Sequence, residues 1–359
     1  MRKTRISPSR PVVVITHKVH EQVKQLLSTQ CQVVSNDSTE SWSHEELRRQ
    51  GAQADALMVF MPDSVDEHFL AQCPKLKVMA AALKGYDNFD VEACTRRGVW
   101  FTIVPDLLTQ PTAELALGLA LGITRNVLPG DRLVRAGDYQ GWRPVLYGSG
   151  LRGKAIGIFG IGKVGQELAQ LLAGFEVTIF YSDRTRLSPQ EESRLRVSPL
   201  DRDRLLAISD VVVLLLPLQN NTLHLINQAA LRQMKRGSYL VNVGRGSVVD
   251  EEAIADALIN GHLAGYAADV FEMEDWARLD RPQTISSRLL SNSVNTLFTP
   301  HLGSAVDNVR LEIELTAARN ILQALNGEEP TDAINQPAPA EPAVTIDEYG
   351  STLKPQTYQ

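Results

Sequence analysis

At 359 residues the chain is too long for one compact core and suits two domains. With 43% hydrophobic and 22% charged residues it has the composition of an ordinary globular protein. The net charge of −6 speaks against a nucleic-acid binder, which would carry a basic footprint, so an anionic ligand would have to be held by local cations.

From residue 11 onward, short β-rich runs alternate with amphipathic helical stretches. Strands are expected at 12–16, 31–34, 56–60, 76–80 and 99–102, with helical segments at 17–27, 43–50 and 90–97. The stretch 111–126, P-T-A-E-L-A-L-G-L-A-L-G-I-T-R-N, reads as a long, largely buried helix opened by a proline. A second series has strands at 155–159, 177–181, 211–216, 239–243, 265–270 and 296–299. Helices are expected at 164–172, 228–235 and 250–260, and a late one at 304–326. This βα rhythm predicts parallel sheets covered by helices on both faces, in two doubly wound α/β domains.

The connectors suggest that the second domain is inserted in the first. Residues 1–108 and 302–335 then form a substrate domain, and 109–301 a dinucleotide-binding domain. From 336 to 359 a Pro/Ala-rich flexible tail is expected. The longest apolar run, 211–217, cannot span a bilayer, and the basic N-terminus lacks a signal-like apolar stretch. Cys31, Cys73 and Cys94 form no CxxC pair and have no histidine cluster beside them. They read as reduced thiols of a cytoplasmic protein without a metal site.

Residues 155–165 read A-I-G-I-F-G-I-G-K-V-G. Gly160, Gly162 and Gly165 fit G-x-G-x-x-G between a strand and a helix. Glycines there allow a tight turn, and the helix N-terminus offers N–H groups to a pyrophosphate. Asp183, at the end of the next strand, can accept hydrogen bonds from ribose hydroxyls and repels a 2′-phosphate. Arg184 and Arg186 could stack on adenine or pair with a 2′-phosphate, so NAD is expected, with NADP as a secondary cofactor.

Other polar residues stand at strand ends, where ligands of open α/β sheets collect. Arg245 lies between two glycines in N-V-G-R-G-S-V-V-D and can hold an oxyanion through its fork. Asp269, Glu272, Glu274 and Asp275 crowd one turn. His301, in F-T-P-H-L-G-S-A, is a candidate general base if a carboxylate orients it. In A-A-L-K-G-Y-D-N (80–87), Lys84 is either a solvated charge or a cation aimed at an anion beside the N–H groups of Gly85 and Tyr86.

The order G-I-G-x-V-G, N-V-G-R-G-S-V-V-D-E, A-A-D-V-F-E-x-E and T-P-H-L-G-S-A closely resembles the D-2-hydroxyacid dehydrogenase superfamily over residues 12–335. The resemblance implies a Rossmann cofactor domain inserted in a flavodoxin-like substrate domain, a homodimer, and a catalytic set of Arg245, Glu274 and His301. It assigns cofactor contacts to Gly160, Ile161, Gly162, Lys163, Val164, Gly165, Asp183, Arg184, Pro217, Thr222, Asp269 and Thr112. The family usually has proline after the catalytic glutamate, whereas Asp275 and Trp276 follow here.

The stretch G-Y-A-A-D-V-F-E-M-E-D-W-A-R, with A-L-K-G-Y-D-N-F-D-V and G-W-x-P-x-L-Y-G, looks like the phosphonate (phosphite) dehydrogenase branch. That branch implies a substrate site of Lys84, Gly85 and Tyr86 with Met61, Trp142, Tyr147 and Trp276 nearby. The small-molecule substrate would then be phosphite, oxidised to phosphate with NAD. Two alternatives remain: a D-2-hydroxyacid dehydrogenase or glyoxylate/hydroxypyruvate reductase using the same residues, and a non-enzymatic NAD-sensing corepressor.

Overall fold

The computed structural model describes residues 10–337. The tail expected from 336 onward lies, but for its first two residues, outside them. Strands β1 (Val12–Ile15), β2 (Gln32–Ser35), β3 (Ala56–Val59), β4 (Val78–Ala81) and β5 (Trp100–Thr102) form a parallel sheet of order β2-β1-β3-β4-β5. Strands β6 (Ala155–Phe159), β7 (Thr178–Ser182), β8 (Val197–Pro199), β9 (Val211–Leu214), β10 (Ser238–Asn242), β11 (Leu263–Ala268) and β12 (Thr296–Phe298) form a second, of order β12-β11-β10-β9-β6-β7-β8. Every strand pair is parallel. The fold is two doubly wound α/β units. The order reverses at β1/β3 in the first sheet and at β6/β9 in the second, which opens a crevice at each carboxyl edge.

Strands β3, β4 and β9 are buried at every residue, the reason their sequences are unbroken apolar runs. The helices are α1 (Glu21–Ser28), α2 (His44–Gly51), α3 (Glu67–Ala71), α4 (Val91–Arg96), α5 (Thr109–Thr124), α6 (Val127–Arg135), α7 (Lys163–Leu171), α8 (Pro189–Leu195), α9 (Arg202–Ile208), α10 (Gln228–Gln233), α11 (Glu251–Ile259) and α12 (Asp307–Leu325). Short polar side chains start many of them: Ser43, Asp66, Asp90, Asp201, Asn227 and Asp250 each accept a first-turn N–H.

Helix α5 buries Ala113, Ala116, Leu119 and Ile123 with β6 and β7 residues of the second unit. Gly122 is there for contact: a Cβ would strike Leu297. After β12 the chain returns to the first sheet, where Ile313, Ala317 and Ile321 of α12 pack with Ile15, Met58 and Val78. Among the described residues no helix is long and apolar enough to cross a membrane, and no metal-ligating cluster occurs. The three cysteines are free and buried.

Candidate active site

Beyond β4 the chain turns through Lys84 to Asp87. The Lys84 side chain is 38% exposed, and its Nζ stands 4.0 Å from the exposed Asp106 carboxylate, too far for a firm hydrogen bond. Met61, just past β3, is drawn to this turn because its carbonyl accepts from Asn88 Nδ2 at 2.9 Å. Tyr86 is partly exposed and meets Phe101 edge-on.

Arg245 arrives from the other unit, on the turn after β10. Its Nε donates to both oxygens of Asp87, at 3.1 and 3.3 Å, and its Nη1 to the Gly244 carbonyl at 3.0 Å. Its Nη2 fills the space that a Cβ on Gly85 would occupy. Asn242 braces the turn, donating to the Arg245 carbonyl and accepting from Gly244 N. The Arg245–Asp87 pair thus joins the two units, with both side chains mostly buried.

Glu274 and His301 meet at 2.6 Å, Oε2 to Nδ1. The other oxygen of Glu274 accepts from Phe271 N, which sets the carboxylate plane. With Nδ1 engaged, Nε2 is the imidazole atom left to exchange a proton with a ligand. His301 has φ 57°, a left-handed conformation costing about 1–3 kcal/mol in a non-glycine residue. Asp269 holds it there: its carbonyl accepts from His301 N, and its carboxylate accepts from Thr299 Oγ1, Leu302 N and Gly303 N. Burial pushes the Asp269 carboxyl above its ordinary pKa, and the Thr299 and backbone bonds work against that shift. Three of its four acceptor sites are spent on this loop, so one remains for the cofactor contact expected of it. Thr112 Oγ1 donates to the Gly303 carbonyl and to Leu108, bringing the start of α5 to the same loop.

The dinucleotide cradle lies at the carboxyl edge of β6. Gly160 needs its φ of +93°, and a Cβ on Gly165 would strike the Gly160 carbonyl, so strand and helix pack closely only through glycine. A Cβ on Gly162 would meet nothing, which leaves open space before the N-terminus of α7, where Lys163 and Val164 begin the first turn. Asp183 accepts from Ile161 N and Thr185 N, one bond on each oxygen, leaving two acceptor sites for a diol. These residues fit NAD. Arg186 is exposed but held bidentately by Glu192, at 2.8 and 3.0 Å, whereas the exposed Arg184 beside Asp183 has no such partner among the described residues. Thr222 Oγ1 closes its own loop by donating to the Pro217 carbonyl and accepting from Gln219 N.

Two expected substrate neighbours, Trp142 and Tyr147, follow α6. Trp142 and Tyr147 are 80% and 74% exposed. The segment after Tyr147 is tied to the far end of α5, through Ser149 N to the Thr124 carbonyl. Thr112 touches the His301 loop, so twelve helical residues, about 18 Å, separate the two ends. The Tyr147 backbone therefore stands at the end of α5 away from the His301 loop. Trp276 is half-buried beneath the Arg281 guanidinium, 4.2 Å from its ring centre.

Asp87 and Arg310 escaped the sequence reading, as did the partner of Asp275. Asp87 stood in the quoted K-G-Y-D stretch, but nothing local tells that it faces Arg245. Asp275 is buried on Ser247 N. Arg310, from the first turn of α12, reaches the Ala82 carbonyl and Ser304 Oγ, and its burial lowers its pKa.

Residues 117–303 match the family described as D-isomer specific 2-hydroxyacid dehydrogenase, NAD binding domain. The glyoxylate reductase of Thermofilum pendens is 36% identical over 332 residues, covering 91% of this chain and 95% of that protein. Among solved structures, a glyoxylate reductase from Paecilomyes thermophila aligns with TM-score 0.78 at 26% identity, over 91% of this chain and 99% of that one. An NADPH-dependent glyoxylate/hydroxypyruvate reductase from Sinorhizobium meliloti, in complex with NADP and malonate, aligns with TM-score 0.76 at 27% identity, over 91% and 97%. The chain belongs to the D-isomer specific 2-hydroxyacid dehydrogenase family, a family of NAD-dependent oxidoreductases.

Proposed function

We propose that the protein oxidises phosphite to phosphate with NAD. The observation that carries this reading is the charge at the anion site. Asp87 already offsets Arg245, so a second cation, Lys84, supplies the positive surplus that a compact dianion needs and a monoanionic carboxylate does not. The Gly160–Gly165 turn and Asp183 would hold NAD, which would supply the acceptor for the hydride of the P–H bond. His301 Nε2 takes a proton from the water that adds to phosphorus, and Glu274 stabilises the imidazolium so formed. Lys84 and Arg245 hold the oxygens and offset the negative charge as water adds.

A second reading, reduction of glyoxylate or a related 2-oxoacid, is favoured by the relatives, which include glyoxylate reductases matched across nine-tenths of the chain. There His301 Nε2 would give its proton to the carbonyl oxygen, and Arg245 would hold the carboxylate. The assay separates the two. Purified protein is mixed with NAD and phosphite, with NAD and D-lactate or D-glycerate, and with NADH and glyoxylate, and absorbance of the reduced cofactor is followed. Turnover of the organic acids with none of phosphite overturns the first reading. NAD binding without any turnover favours a sensor.

The active unit is a homodimer on this reading. Val127, Val134, Tyr139, Trp142, Val145 and Tyr147 form an exposed apolar arm on and after α6, which buries none of its own residues. A second copy covering this arm would let Trp142 and Tyr147 approach the partner's site. A monomeric mass by light scattering would refute it.

A further inference from the structure

The stretch that follows Glu274, D-W-A-R, has a use that the reaction does not absorb. Arg245 sits on the turn that continues into the short helical turn Gly246–Val248, and Ser247 is wholly buried. Two side chains of the 275–278 segment grip that serine from different atoms. Asp275 Oδ2 accepts from Ser247 N at 2.6 Å, and Arg278 Nη1 donates to Ser247 Oγ at 2.8 Å. Arg278 also donates to Glu272 Oε2 at 3.0 Å, where His224 Nε2 meets the same oxygen at 2.8 Å. Gly246 lies so close to the Phe271 and Glu272 backbone that a Cβ would overlap it. The turn bearing Arg245 and the turn bearing Glu274 are therefore stacked and bolted together.

We propose that Asp275 and Arg278 are positioning residues for anion binding: they act through Ser247 to hold the Arg245 guanidinium against Gly85 and Asp87. The proposal rests on Arg245 being the anion-binding arginine, and it holds whether the anion is phosphite or glyoxylate. Removing the Asp275 carboxylate leaves a buried N–H without an acceptor at the base of the Arg245 turn. Arg245 then samples orientations that do not meet the anion, which weakens anion binding and leaves the cradle around Gly160 and Asp183 untouched.

The substrate is first identified by turnover, and KM for that anion and for the nicotinamide cofactor is then measured in each variant. Asp275→Ala is expected to raise the anion KM on the order of ten- to a hundredfold, with the cofactor KM within twofold. Asp275→Asn, whose amide oxygen accepts the same N–H, restores the anion KM to within about threefold. If Asp275→Ala does not fold, Arg278→Met carries the test and should raise the anion KM at least threefold. Should no anion turn over, the Kd of sulfate for the NAD-loaded protein gives the same comparison by calorimetry. An unchanged anion KM or Kd in a folded Asp275→Ala or Arg278→Met variant overturns the proposal. So does an equal rise in the anion and cofactor constants, which would mark a general structural role.

Discussion

A methyl group at Gly85 would overlap Nη2 of Arg245 and crowd its Cζ, while its next neighbour, Asp87 Oδ1, stays at an ordinary 3.4 Å. Gly85 does not lie in the left-handed region, so alanine can adopt the backbone there without strain. Gly85→Ala thus displaces one guanidinium and leaves the loop intact. The displaced arginine loses its charge-assisted contact with the anion, worth about 1.5–3 kcal/mol, which at about 1.4 kcal/mol per tenfold weakens anion binding roughly ten- to a hundredfold. Steady-state kinetics should show that rise in the anion KM, with the cofactor KM and the thermal melting curve near those of the parent. An anion KM within twofold of the parent, in a protein that melts normally, would mean that Arg245 does not bind the anion from beside Gly85.

Lys84→Ala should raise the phosphite KM about tenfold with little change in kcat, and unchanged kinetics would return Lys84 to the role of a solvated charge. His301→Ala should lower kcat at least about a hundredfold while NAD still quenches the protein fluorescence; retained turnover would remove His301 from proton transfer. His20 links α1 to α12 through Glu314 at 2.8 Å, with Asp307 at 3.4 Å, and the Glu314 bond raises its pKa above the ordinary value. A raised histidine contributes stability that is full below the unfolded pKa near 6.5 and is lost as pH rises through the folded value. The stability gap between parent and His20→Gln, from urea titrations, should therefore be larger at pH 6 than at pH 8.5, and an equal gap would contradict the linkage.

Most of the fold was legible because parallel strands buried on both faces are written as unbroken apolar runs, as in β9, and because Asp250 or Ser43 marks a helix start. Strand β8 was not legible: it has three residues, lies at the sheet edge, and ends in Pro199, which cannot donate to a ladder. Helix α6 follows Asn126, which is in the left-handed region, contains Pro129 and Gly130, and buries none of its own residues, so no core-facing stripe announced it. At the site, Arg245, Glu274 and His301 could be named from their motifs because their residue types limit the chemistry. The residues that brace their turns could not. Asp87 lies 158 residues from Arg245 and Asp275 lies 28 from Ser247, and only the packing of one turn on another makes them neighbours. Tyr147 shows the converse: a motif named the residue, and its backbone is held at the Asn126 end of α5, away from Thr112.

Asp87 sits three residues from Lys84 on the same turn, and this ties the geometry of the site to its charge. By pairing with Arg245 across the two units, Asp87 fixes the Lys84 turn to the Arg245 turn. The same carboxylate cancels one positive charge, so the pair alone attracts an anion through hydrogen-bond geometry more than through net charge. Lys84, weakly matched by an exposed Asp106, is then the cation whose loss changes the charge an anion meets on entering. A monoanionic 2-oxoacid can be held by the Arg245 fork and backbone N–H groups, and should tolerate that loss. A largely dianionic phosphite should not. The ratio of the Lys84→Ala effects on the two anions therefore tests substrate identity more directly than either rate alone.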